Sequence, residues 1–512
     1  MSGTEWTLLV LYLAVVGVLA IYGFHRYQMV YLYYRNRSNI ARPPRRFAED
    51  ELPSVTVQLP CYNEMYVVER LIDAVAALDY PRHLLQVQVL DDSTDETTAI
   101  ARARVEYWRQ RGLEIELRHR TDRRGFKAGA LAEGLRHATG ELIAIFDADF
   151  VPPPDFLRRT VDHFTDPEIG MVQARWEHLN RDYSLLTQVQ SILLDGHFQI
   201  EQTARNRSGR FFNFNGTAGI WRRQAIEDAG GWQHDTLTED LDISFRAQLR
   251  GWRFVFLPEV TAPAELPADI NAFKSQQHRW TKGAVQCARK LLGSIWGAEQ
   301  VPLKAKIEAT YQLTMNLAYV LMVLLSILML PALTIRFEQT WLTYLLIDVP
   351  FFVLATTSVF SFYVASQREV YPHAWLQRLR YVPLVVSVGI GMCLSNAKAV
   401  LEGLLGKPSE FVRTPKHGIQ GRAGSWRDKR YAAMKSLLPW VELAFGIYFA
   451  VIFGIVLWER RFLMLPFVGL FLFGFLYVAY LSFAHHYGRP AEPEPRPVAL
   501  LPAPPREELA VV

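Results

Sequence analysis

Leu142-Ile143-Ala144-Ile145-Phe146-Asp147-Ala148-Asp149 is the stretch on which the fold turns. The first five residues are apolar without a break, which suits a strand at the centre of a sheet. Two carboxylates follow at i and i+2, where the strand must end.

Working outward, strands and helices alternate. Ser54–Leu59 is a strand ended by Pro60, and Glu69–Leu78 is helical. Leu85–Leu90 alternates apolar and polar, as a strand does. Thr97–Arg111 is a helix stopped by Gly112, Leu113–Leu117 is a strand, and Lys127–Ala138 is a helix stopped near Gly140. This βαβα order predicts an α/β domain with a mostly parallel sheet and helices on both faces. Ligands of such sheets bind beyond the carboxyl ends of the strands. Asp91-Asp92 and Asp147-Ala148-Asp149 both follow strands and should meet at that edge. Bringing these carboxylates together is costly without a cation. Mg²⁺ or Mn²⁺, bound by carboxylates and phosphate oxygens, would relieve that cost. One Asp pair alone reads better as an ordinary strand-end turn, and both clusters together read as a cation site.

Half of the 512 residues are hydrophobic and 21% are charged, with a formal net charge of +4. That charge is too small to indicate a nucleic-acid partner. Uncharged runs at Trp6–Phe24, Ala309–Ile335, Val349–Gln367 and Phe462–Ala484 each approach or exceed the roughly 20 residues that cross a bilayer. Leu437–Trp458 joins them, with Glu442 at an interface or facing protein. Tyr381–Ala397 is basic on both flanks and reads as interfacial or re-entrant, so the count is five spans, or six if it crosses. Arg26, Arg35, Arg37, Arg42, Arg45 and Arg46 follow the first run, which places the α/β domain on the cytoplasmic side. Met1–Trp6 carries Glu5 and no Lys or Arg, unlike a cleavable signal peptide.

The expected organisation is a membrane helix (1–27), a basic linker (28–49), the α/β domain (50–265) and interfacial helices (266–308). Two membrane helices (309–367), an interfacial or re-entrant segment with a loop (368–436) and two further membrane helices (437–484) follow. A proline-rich disordered tail (485–512) ends the chain. Cys61, Cys287 and Cys393 are an odd, widely spaced set with no disulfide framework.

Six further motifs stand in order: Pro60-Cys61-Tyr62-Asn63-Glu64, Val89-Leu90-Asp91-Asp92-Ser93-Thr94-Asp95, Arg123-Arg124-Gly125-Phe126-Lys127-Ala128-Gly129, Phe214-Asn215-Gly216-Thr217-Ala218-Gly219, Thr238-Glu239-Asp240 and Gln276-Gln277-His278-Arg279-Trp280. With Asp147-Ala148-Asp149 they resemble the family 2 glycosyltransferases, and more narrowly the cellulose-synthase superfamily. The wording is most similar to plant cellulose-synthase-like A and C proteins, the mannan and xyloglucan-backbone synthases. The resemblance is close over about residues 50–300 and extends to the membrane half only in pattern.

The resemblance implies a GT-A type domain inserted between membrane helices. It also implies an inverting, metal-dependent transfer from GDP-mannose or UDP-glucose onto a β-linked mannan, glucomannan or glucan. Such a synthase is processive and passes its product through its own helices at the plasma (inner) membrane, with accessory export proteins. A single transfer onto a membrane lipid is the alternative. By the same resemblance, Asp91 and Asp92 contact the nucleotide, and Lys127 reaches the diphosphate as a point charge. Asp147 and Asp149 hold the metal. Asp240, rather than Glu239, is the general base. Gln276, Arg279 and Trp280 share one helix face; Gln276 and Arg279 would meet the donor, and Trp280 would stack under the acceptor sugar. Asn215, Gly216 and Thr217 line the acceptor pocket or form a tight turn. Phe411-Val412-Arg413-Thr414-Pro415-Lys416 resembles the gating loop of cellulose synthases, except at Arg413 where the family has Val. A basic interfacial loop is the other reading.

Overall fold

The computed structural model describes residues 2–336, 349–409, 411–427, 429 and 436–487. The proline-rich stretch from Gly488 lies outside the described residues. A long helix, α1 (Gly3–Asn36), leads into the α/β domain.

The first half of that domain follows the predicted order. It runs β1 (Val55–Cys61), α2 (Val68–Ala76), β2 (Leu85–Asp91), α3 (Thr97–Arg109), β3 (Glu114–His119), α4 (Phe126–His137) and β4 (Leu142–Ile145). The second half holds β5 (Ile169–His178), α5 (Leu185–Asp195), a π turn at Gly196–Gln202, α6 (Thr203–Arg207) and β6 (Gly219–Arg222). It closes with α7 (Arg223–Asp228), α8 (Glu239–Leu249) and β7 (Arg253–Ala264). The seven strands form one sheet in the order β3-β2-β1-β4-β6-β5-β7. β6 runs against β4 and β5, and every other pairing is parallel.

Both faces of the sheet are covered. Val55, Val57 and Leu59 of β1 pack with Leu71, Ile72 and Val75 of α2 on one side. Ile143 and Ile145 of β4 pack with Leu131 of α4 and Trp221 of β6 on the other. The polar residues that alternate along β1 and β2 therefore cannot face water, and they satisfy one another instead. Thr56 Oγ1 donates to Gln86 Oε1 at 2.8 Å, and Gln58 Nε2 donates to Gln88 Oε1 at 3.0 Å. Gln88 Nε2 in turn donates to Glu116 Oε1 at 3.1 Å.

Beyond the sheet, α9 (Ile270–Gly297) crosses to α10 (Leu303–Thr314) and α11 (Ala318–Arg336). Among the described residues four helical stretches are long and apolar enough to cross a membrane: Gly3–Asn36, Leu303–Arg336, Leu438–Trp458 and Phe462–His485. Trp375–Gly391 and Cys393–Leu404 form a pair bent by 45°, a broken span or a re-entrant loop. The expected span at 349–367 is helical from Val349 to Val370 but is broken by a π turn at Val353–Thr357, and it is not among the four. Where the bent pair meets the last helix, Gly391 and Gly474 face each other so closely that a Cβ on Gly391 would stand 2.3 Å from Gly474 O. Glu442 faces protein. Its carboxylate accepts from Lys274 Nζ of α9 at 2.5 and 2.7 Å, and Lys274 also donates to Ser482 Oγ at 2.6 Å. The three cysteines are buried free thiols.

Candidate active site

The carboxyl ends of β1, β2 and β4 open onto a cavity of about 160 Å³. Its walls include Asp92, Lys127, Asp147, Asp149, Asn215, Gly216, Glu239, Asp240, Gln276, Arg279 and Trp280. Asp91 and Thr217 do not line it.

β4 ends at Ile145, and the backbone beyond it throws Asp147 and Asp149 toward the cavity. Thr217 Oγ1 accepts from Asp147 N at 2.8 Å and so fixes the start of that turn. Thr217 is wholly buried, and its hydroxyl holds the backbone of Asp147. Asp91 is likewise buried. Its carboxylate is used up by Ser93 N at 3.0 Å, Thr98 Oγ1 at 2.6 Å and His119 Nδ1 at 2.9 Å. These bonds shape the turn that follows β2. Asp92 does reach the cavity, held by Arg120 through Nε at 2.7 Å and Nη2 at 2.5 Å.

Lys127 enters from the first turn of α4. Its Nζ donates to Asp147 Oδ1 at 2.5 Å and to Gly216 O at 2.8 Å. Burial works against the ammonium, but Asp147 and Glu239 more than offset it and raise the Lys127 pKa. Gly216 has φ +82°, and a Cβ there would stand 3.0 Å from Asp240 Oδ2 and 3.3 Å from Lys127 Nζ. Only glycine lets the backbone run between Asp240 and Lys127. Asn215 is tied back by His197 Nε2 at 2.9 Å and Gln202 Nε2 at 2.7 Å.

Glu239 and Asp240 open α8, whose first turn carries three acids, Glu239, Asp240 and Asp242. Burial, and then the charge of Glu239, push the Asp240 carboxyl up to about 7. Burial also raises Glu239. Asp240 is therefore poised near neutrality, as a proton acceptor requires.

α9 lays Gln276, Arg279 and Trp280 along the cavity, with the Trp280 and Trp176 rings 6.4 Å apart. Gly283, one turn on, lies so close to the start of α8 that a Cβ would meet Thr238 Cγ2 at 2.5 Å. This contact fixes α9 on the start of α8.

The loop Phe411–Lys416 folds into the site. Phe411 stacks on Phe126 with centroids 5.8 Å apart and lies under the Arg279 guanidinium at 4.4 Å. Arg413 pairs with Glu64 at 3.0 Å, and Lys416 Nζ reaches Asp149 Oδ2 at 2.7 Å. Burial pushes the Glu64 carboxyl up to about 8 despite Arg413. The loop is anchored by Glu265, just beyond β7, whose carboxylate accepts from His417 N and Gly418 N at 2.8 Å and Ile419 N at 3.2 Å.

The family described as glycosyltransferase like family 2 matches residues 53–283. The chain is 35% identical over 442 residues to glucomannan 4-beta-mannosyltransferase 7 of Arabidopsis thaliana, covering 83% of this chain and 77% of that one. The chain belongs to glycosyltransferase family 2. This glycosyltransferase is also 43% identical over 287 residues to glucomannan 4-beta-mannosyltransferase 1 of Oryza sativa subsp. japonica, a match to 53% of this chain and 55% of that relative. The solved mannosyltransferase PcManGT of Pyrobaculum calidifontis, in complex with GDP-Man and Mn²⁺, shares the GT-A fold. The TM-score is 0.50 at 23% identity, over 71% of this chain and 99% of that one.

Four site residues of this glycosyltransferase escaped sequence reasoning as functional: Glu64, Glu265, Gly283 and Trp176. Glu265 follows a strand end, the signal that marked the two Asp clusters. Gly283 stands one turn past Trp280 on an amphipathic helix, where a small residue marks a close crossing. Nothing in the sequence pairs Glu64 with Arg413, 349 positions away.

Proposed function

We propose that this family 2 glycosyltransferase inverts a nucleotide-activated hexose, GDP-mannose or UDP-glucose, onto the end of a β-linked mannan, glucomannan or glucan. The observation that carries the reading is Asp240, a carboxyl raised toward neutrality in the cavity that the Lys127–Asp147 pair and Trp280 also line. The names of the plant relatives favour mannose as the sugar.

In the proposed reaction the acceptor hydroxyl loses its proton to Asp240 Oδ2 as its oxygen attacks the anomeric carbon. The bond from that carbon to the diphosphate breaks on the far face, and the nucleoside diphosphate leaves. Trp280 stacks the acceptor sugar and Asn215 and Gly216 border it, so that one hydroxyl faces the base. Asp92 and its Arg120 partner meet the nucleotide. Lys127, Gln276 and Arg279 meet the diphosphate; burial lowers the Arg279 pKa, so an anionic partner suits it.

Asp147 and Asp149 suit Mg²⁺ or Mn²⁺. Both offer hard oxygens, and each already faces an ammonium, Lys127 or Lys416. No group of three or more His, Cys, Asp or Glu suited to a metal exists among the described residues, so diphosphate and water would complete the shell. A bound ion would neutralise the departing diphosphate.

We further read the protein as multi-pass, in the plasma (inner) membrane, with the sheet on the cytoplasmic side. The arginines after the first span support that orientation. Trp280 lies on α9, which is braced on the membrane helices through Lys274–Glu442. That connection supports a processive synthase that passes its growing polysaccharide into the bilayer-spanning bundle.

The test is incubation of the purified protein with radiolabelled GDP-mannose or UDP-glucose and Mn²⁺ or Mg²⁺, with Asp240→Asn as control. Alkali-insoluble or size-excluded β-linked polymer, absent in the variant, is the expected product. Chloroform-soluble glycolipid as the sole product would replace the polymer reading with single transfer onto a lipid.

A further inference from the structure

A second cavity, of about 590 Å³, shares no wall residue with the first. It lies between the basic linker that follows α1, the turn after α6 and the outer edge of β7. Arg42, Arg207 and Arg210 line it. Among the described residues no carboxylate forms an ion pair with any of the three. The cavity's other arginine, Arg253, is spent on Asp166 and Glu168, which also neutralises the cavity's one acid.

Arg42 is exposed, and Arg207 and Arg210 are partly buried. Arg207 Nη1 donates to Arg37 O at 2.6 Å, and among the described residues the rest of its guanidinium has no hydrogen-bond partner. Arg210 Nε is buried with no hydrogen-bond partner among the described residues. Burial lowers its pKa, the mark of a guanidinium kept from water without a full counter-charge. Such a group is stabilised by an incoming anion. A fourth cation stands at the lip: Lys304 Nζ of α10 donates to Ser208 O at 2.9 Å and lies 3.3 Å from where a Cβ on Gly209 would be.

The lip also locates the cavity relative to the bilayer. Lys304 sits one residue into the stretch Leu303–Arg336, which is long and apolar enough to span. Beside it Leu303 is 62% exposed and Ile307 40% exposed, apolar surface that suits the lipid boundary. The cavity's other walls mix apolar and aromatic residues, Ile40 and Trp252 among them, with the polar Asn39, Asn206 and Gln248. An anionic group with apolar matter beside it suits such walls.

We propose that this cavity binds the phosphate of an anionic phospholipid headgroup, with Arg42, Arg207 and Arg210 as its ligands. Planar guanidinium forks suit phosphate oxygens. The anionic inner leaflet supplies such lipid where juxtamembrane arginines stand. Occupancy would pin the linker and the β7 edge to the membrane surface, independently of the sugar chemistry.

The test uses the full-length protein in a neutral detergent, titrated with dihexanoyl phosphatidylglycerol, dihexanoyl phosphatidylcholine or inorganic phosphate. Bound lipid is counted by native mass spectrometry, and the unfolding midpoint is followed alongside. The phosphatidylglycerol should bind at least about tenfold more tightly than the other two. Arg207→Gln/Arg210→Gln should lose that preference by about tenfold. Arg42→Gln, at an exposed position that cannot disturb the core, should lose about threefold, and Arg46→Gln, exposed on the same linker outside the cavity, nothing. Equal losses in Arg46→Gln would mean diffuse surface charge and overturn the site. Inorganic phosphate binding as tightly as the lipid would overturn the lipid assignment, as would equal binding of phosphatidylcholine.

Discussion

Lys416 Nζ and Asp149 Oδ2 meet at 2.7 Å although 267 residues separate them in the chain. The ammonium thus faces one of the two carboxylates proposed to hold the metal. Lys127 faces the other. Lys416 neutralises a buried carboxylate, and Lys127 one that is partly exposed.

Lys416→Gln should tighten Mn²⁺ binding in the absence of donor, because a competing cation is gone. A gain of about tenfold corresponds to about 1.4 kcal/mol, modest for a buried charge pair. Electron paramagnetic resonance titration of free Mn²⁺ measures it. An unchanged or weaker affinity would show that the lysine does not compete with the ion.

Asp240→Asn should lower kcat by at least about 10²-fold, the contribution of a positioned base. Asp240 titrates at about 7, so it is protonated below that pH and unable to accept a proton. The wild-type kcat/KM should therefore rise with pH through about 7. Glu239→Gln removes the negative charge that helps raise Asp240, so the acid limb should move to lower pH. A limb that stays in place would take Glu239 out of the account.

Lys274→Met leaves Glu442 buried without its cation and should destabilise the protein by about 3–5 kcal/mol. Lys274→Met/Glu442→Leu removes both charges and should recover most of that loss. Denaturation of the detergent-solubilised protein compares the two. A double variant no better than the single one would show that the pair is not the source of the cost.

Gly283→Ala drives a methyl group into Thr238 and should displace α9 from α8, with at least about a tenfold fall in kcat/KM. Gly293 on the same helix has nothing within 4 Å of its would-be Cβ. Gly293→Ala should keep full activity and gain up to about 1 kcal/mol in helix stability. Parallel kinetics and melting curves separate contact from helix propensity.

Much of the site was legible because its residues follow apolar strands or share one helix face. Asp92, Asp147 and Asp149 sit at strand ends, and Gln276, Arg279 and Trp280 at helical spacing. The hydrogen-bond partners of Asp91 and Thr217 were not legible, since a motif does not say which neighbours a carboxylate or hydroxyl bonds. The loop at 411–416 was open to two readings. Arg413, which departs from the gating-loop pattern, has its partner in Glu64, and only three-dimensional proximity pairs them.

Hydrophobic periodicity by itself determined the βαβα order, the strand-end carboxylates and the apolar runs, because each depends on neighbours a few residues apart. The tertiary structure decided what depends on distant parts meeting: the antiparallel β6, the buried glutamine ladder and the turn of Glu442 toward Lys274. It also decided that Leu142–Asp149 opens onto a site already carrying two ammoniums. Long-range packing and charge compensation set these, and neither leaves a period in the sequence.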